Sequence, residues 1–149
     1  MFCRAFSQTK AMEFEIVFDT DSGFAIVRTC GVASLESFSV YLRALVSDSR
    51  WRRGMDVLYD HTALEAGHLT AGDIKALVAI HFPFAHAIGP GRGAIVAGSS
   101  LKFGLARMFE AYADGRLPFR PRVFATVEEA VAWLHTADRA LDADEYDAV

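Results

Sequence analysis

A chain of 149 residues, 52% apolar and 23% charged, is long enough to bury one core as a single domain. Its net charge of -4 offers no basic field for a phosphate backbone, which excludes general nucleic-acid binding. Two cysteines make neither a disulfide framework nor a zinc quartet, and no apolar run reaches the roughly 20 residues of a membrane span. Residues 1–11 (MFCRAFSQTKA) hold no apolar core of signal-peptide length, so the expected setting is reducing and cytoplasmic. They read as a flexible N-terminal extension, with Met12 an alternative start. Residues 12–137 read as one domain and 138–149 as a frayed acidic tail.

Glu13 to Asp19 (EFEIVFD) alternates charged and apolar residues, the period of a half-buried strand. Thr20-Asp21-Ser22-Gly23 is a tight turn, and Phe24 to Cys30 completes a hairpin that Gly31 ends. Ser34 is a good N-cap for a helix from Leu35 to about Val46, whose apolar stripe is Leu35, Phe38, Leu42, Leu45 and Val46. Arg50, Arg52 and Arg53 then read as a solvated turn, with Trp51 packed over the helix end.

The segment from Gly54 to Ile88 is the centre of the chain. Met55 to Asp60 is a short apolar strand suited to burial on both faces. His61 to Leu69, with Glu65, Gly67 and His68, reads as an exposed, mobile loop. Thr70 caps the next helix, with Asp73 in its first turn. Ile74, Leu77, Val78, His81, Ala85 and Ile88 follow one face, and Pro83 predicts a kink or break near residues 79–82. A glycine-rich turn leads to a small strand, Ala94 to Ala97. Ser99 and Ser100 open a helix from Leu101 to about Ala113, and Gly115 stops it. After the proline-containing stretch 117–121, Arg122 to Phe124 forms a last strand, and Thr126 with Glu129 caps a last helix ending near Ala137. The order ββαβαβαβα predicts an α/β protein with a five-stranded mixed sheet, strands 2–5 mainly parallel and the first antiparallel.

Sites of known chemistry are hard to find. Gly93 to Ser100 lacks the lysine of a phosphate loop and is itself a strand; Gly89-x-Gly91-x-Gly93 precedes a strand instead of following one. The four histidines from His61 to His86 match no compact metal-ligand spacing, and His81 falls on the apolar stripe. Cys30 reads as an inert buried residue. No catalytic residue, metal or cofactor is assigned. Thr70 and the pair Ser99 and Ser100 read as helix caps; their functional alternative is an anion site or a phosphorylatable switch. Phe82, Phe84, Phe103 and Phe109, with Phe119, are candidates for an apolar ligand site or a homodimer patch, beside the plainer reading of core packing.

Several strings are similar to those of the STAS superfamily, in particular its SpoIIAA-like branch of small bacterial proteins. They are Trp51-x-x-Gly54, Val57-Leu58-Tyr59-Asp60, Ala94-Ile95-Val96, Phe103-Gly104-x-Ala106-Arg107-Met108-Phe109, and Val123-Phe124 followed by Glu128-Glu129-Ala130-x-x-Trp133-Leu134. The resemblance spans about Met12 to Leu134 and implies the fold more firmly than the activity. Antagonists of that superfamily carry a phosphorylatable serine where this chain reads Leu69-Thr70-Ala71-Gly72; the preceding acid is absent and Thr70 is the hydroxyl. The resemblance implies a non-enzymatic regulatory domain that docks a protein partner through Asp60, His61, His68, Thr70 and Asp73. It also implies an alternative, a carrier or sensor of a small lipid-like molecule, since the branch resembles the CRAL-TRIO fold. That ligand would lie between the Thr70 helix and the helix from Leu101.

Overall fold

The computed structural model describes residues 10–136. The acidic tail and most of the N-terminal extension lie outside them; Lys10 and Ala11 pair with Val32. Five strands, β1 (Glu13–Asp19), β2 (Phe24–Val32), β3 (Val57–Glu65), β4 (Arg92–Val96) and β5 (Arg120–Phe124), form one sheet in sequential order. β1 is antiparallel to β2, and every later pair is parallel. The helices are α1 (Leu35–Ser47), α2 (Ala71–His81), α3 (Ala85–Ile88), α4 (Ser100–Ala113) and α5 (Val127–Leu134).

The sheet grows in one direction from β2 to β5. Right-handed crossovers therefore place α1, α2 and α4 on the same face. That face carries Val27, Val57, Tyr59, Ile95 and Ala97 in the larger core cluster. The opposite face, carrying Phe24, Leu58, Ala94 and Val96, is covered by α5 through Ala130 and Leu134. Strand alternation sorts the residues: Val57, Tyr59 and His61 of β3 face the three-helix layer and Leu58 faces α5, and past the register shift Leu64 turns to the helical layer.

Two expectations are corrected. Residues 61–65 are strand, not mobile loop: a register shift between Arg28 and Cys30 lets Ala63, Leu64 and Glu65 pair with Cys30, Gly31 and Val32. Cys30 is buried as expected, but its sulfur is disulfide-bonded and not a free thiol.

The break at Pro83 occurs as expected. α2 ends at His81, a 3-10 turn covers Phe82–Phe84, and α3 adds one more turn. The turn after α1 is tied down by its own groups. Asp48 accepts two bonds from the Arg50 side chain, at 3.0 and 2.9 Å, and Trp51 Nε1 donates to the Ala87 carbonyl at 2.9 Å.

Gly91 sits where the chain entering β4 crosses residues 54–55. A Cβ there would collide with the Met55 carbonyl oxygen and lie 2.7 Å from that of Gly54. Both obstacles are backbone. Gly91→Ala is expected to destabilise by about 2 kcal/mol or more, read as a lower urea midpoint at unchanged m-value.

Candidate functional site

The layer formed by α1, α2 and α4 does not close fully on the sheet. It leaves a cavity of about 80 Å3, far above the roughly 10–15 Å3 that one water needs. Its walls are Phe38 and Tyr41 of α1, Tyr59, His61 and Leu64 of β3, Ile74, Leu77 and His81 of α2, and Lys102, Leu105, Ala106 and Phe109 of α4, with Ile95, Ala97 and Phe119. The small side chains at Ala97 and Ala106 leave part of the space between the sheet and α4 unfilled.

The polar members of the lining differ in how they are satisfied. Lys102 Nζ donates to the carbonyls of His61 (3.2 Å) and Thr62 (2.7 Å), strapping α4 to β3. Burial lowers its pKa, while the Glu65 and Asp60 carboxylates act the other way. His61 Nδ1 lies 2.6 Å from Thr29 Oγ1, and its ring stacks against Tyr59. Burial pushes His61 down to about 4, aided by Lys102 and opposed by Asp60. His81 is 4% exposed. Its Nδ1–H donates to the Leu77 carbonyl at 2.8 Å, and burial takes it too to about 4. Both rings are therefore neutral near pH 7.

Tyr41 and Tyr59 are 2% and 4% exposed, and desolvation raises both phenols. Neither hydroxyl has a hydrogen-bond partner among the described residues. The same holds for Nε2 of His81. The Tyr59 and Phe119 rings both rest against Gly93, where a Cβ would meet them at 3.3 and 3.4 Å. The His81 ring lies 5.8 Å from Phe119. Tyr59 and His81 thus both border Phe119, whereas Lys102 sits beside the carbonyls of His61 and Thr62.

The residues singled out from sequence divide three ways. His61 and Phe109 line the cavity. Others serve the backbone: Thr70 and Asp73 satisfy each other in a capping box, at 2.8 and 3.1 Å; Ser99 caps α4 by accepting from Lys102 N, and Ser100 is that helix's first residue. His68 Nε2 bonds the Ala33 carbonyl at 2.8 Å, and Asp60 accepts from Thr62 N and Oγ1. Asp60 alternates away from His61 along β3, so these two do not meet in the cavity. The phenylalanines do not form one patch: Phe109 is buried, Phe103 is partly buried, Phe84 sits under Arg43, and Phe82 is 51% exposed. Tyr41, Tyr59 and Lys102 were missed. The available signal was the alternation of Tyr59 with His61, which a strand extended past Asp60 turns toward one face.

The sequential sheet, its single antiparallel edge and the helical layers define an α/β protein of SpoIIAA-like fold. The chain is similar to an uncharacterized protein of the DUF3478 family with a SpoIIAA-like fold from Shewanella loihica PV-4. The TM-score is 0.54 at 16% identity, over 83% of this chain and 93% of that one. At that identity the likeness is one of fold. No family model and no curated protein matches the sequence. Among the described residues, no helix is long and apolar enough to cross a membrane.

Proposed function

We propose that this domain is a non-catalytic binding protein for a small apolar ligand, held between α2, α4 and the sheet. The observation that carries the reading is the cavity itself: lined by aromatic and aliphatic side chains, and far larger than a single water needs. Its lining includes Ile74, Leu77 and His81 of α2 and Lys102, Leu105 and Phe109 of α4. A protein-docking role for residues 61–70 has less support. Residues 61–65 are paired strand, and the Thr70 hydroxyl is engaged as a cap.

The neutral fluorophore N-phenyl-1-naphthylamine tests the reading. The wild-type protein is expected to bind it with a blue shift. Ala106→Trp, which fills the cavity from α4, is expected to weaken binding about tenfold or more, with circular dichroism unchanged. Leu101→Ala, at an exposed position of the same helix, is the control and is expected to leave binding as it was. Equal binding by Ala106→Trp and wild type would remove the cavity from consideration.

A further inference from the structure

We infer that the ligand of this cavity is an uncharged molecule, an apolar body carrying one hydroxyl-type group that hydrogen-bonds to Tyr41, Tyr59 or His81. The inference rests on the cavity being a ligand site and adds the ligand's chemistry. The phenol oxygens of Tyr41 and Tyr59 and Nε2 of His81 belong to residues of this lining and bond no described group. None of the three is a sealed atom, so a small molecule in the cavity can reach them. Because His81 Nδ1–H is committed to the Leu77 carbonyl, Nε2 is left as an acceptor. The phenols both donate and accept. A ligand hydroxyl satisfies both kinds of group, donating to His81 Nε2 and accepting from a tyrosine; a hydrocarbon satisfies neither.

Charged ligands fit less well. The one cation of the lining, Lys102, already donates to two carbonyls and has Asp60 and Glu65 acting on it. An anionic head would have to displace those two carbonyls from Lys102. A cationic head would lie against Lys102, or else enter an apolar space where burial disfavours charge.

Four ligands sharing one ring system test this by isothermal titration calorimetry at pH 7. They are 2-methylnaphthalene, 2-naphthalenemethanol, 2-naphthoate and 2-naphthylmethylammonium. The alcohol is expected to bind about tenfold or more tighter than the hydrocarbon and than either ion. Tyr41→Phe and Tyr59→Phe remove only the hydroxyls. Together they are expected to bring the alcohol-to-hydrocarbon ratio down to about threefold or less while leaving hydrocarbon binding unchanged. Should the double variant fail to fold, His81→Leu offers the same reading through the lost acceptor. Equal wild-type affinity for alcohol and hydrocarbon overturns the inference and leaves the apolar site standing. Tightest binding of 2-naphthoate overturns it in favour of an anionic head at Lys102. If neither these compounds nor N-phenyl-1-naphthylamine binds, the proposed function falls with it.

Discussion

Arg92→Ala is expected to cost about 3–5 kcal/mol of folding stability, the range for breaking a buried ion pair by removing one partner. Arg92 is 2% exposed although it begins a strand. Its guanidinium reaches Asp56 Oδ2 through Nη2 at 2.9 Å and Nε at 3.3 Å. It also donates to the Trp133 carbonyl (3.1 Å), the Leu134 carbonyl (3.0 Å) and Thr136 Oγ1 (3.0 Å). Those carbonyls close α5, where helical carbonyls lack internal partners and the dipole favours a cation. The Trp133 ring covers the guanidinium, 5.2 Å from Cζ to the ring centroid. One side chain thus joins β4, the entry to β3 and the C-terminus of α5.

Truncation removes the Arg92 charge from the partly buried Asp56 and frees the end of α5. The melting temperature is expected to fall by roughly 10–20 °C. Amide exchange is expected to accelerate first in α5, because that helix alone among the described elements covers its face of the sheet. Arg92→Lys keeps the charge but not the fork, and is expected to recover only part of the loss. A loss below about 1 kcal/mol for Arg92→Ala would show that α5 docks by its apolar contacts alone.

The order of elements was readable because its signals are local. The period-two run in β1, the caps at Ser34, Thr70, Ser99 and Thr126, and the break at Pro83 each lie within a few residues. The continuation of β3 past Asp60 was not local. It depends on β2 shifting register between Arg28 and Cys30, which nothing near His61 announces. The cavity was harder still. Periodicity marks the face a residue occupies, not whether facing residues fill the space between them. Ala97 and Ala106 are ordinary core residues in a linear reading, and they open a void only when opposed across a layer. His61 and His81 were noticed separately. Their placement in one lining requires the β3–α2 connection to fold α2 back over the sheet.

Acid lability is expected to follow from those two histidines. Burial is the main cause that holds both near 4, below the ordinary 6.5. A depressed histidine pKa means that the unfolded chain binds more protons between pH 6.5 and 4. Stability is then fully present above pH 6.5 and lost as pH falls toward 4. For His81 the difference corresponds to about 3 kcal/mol across the window, and His61 adds in the same direction. Glu110 works the opposite way, because burial raises its carboxyl. The capped carboxylates Asp19, Asp48 and Asp73 are depressed below 3.8 and lose their contribution only at lower pH. Urea unfolding at pH 7 and pH 5 is expected to show about 2 kcal/mol or more lost at the lower pH. His81→Leu keeps the volume and removes the titrating ring. It is expected to reduce the slope by about one proton, whatever it does to stability at pH 7. An unchanged slope would mean that the imidazole reaches solvent readily and takes its proton without unfolding. It would then be absent from the cavity's neutral hydrogen-bonding set.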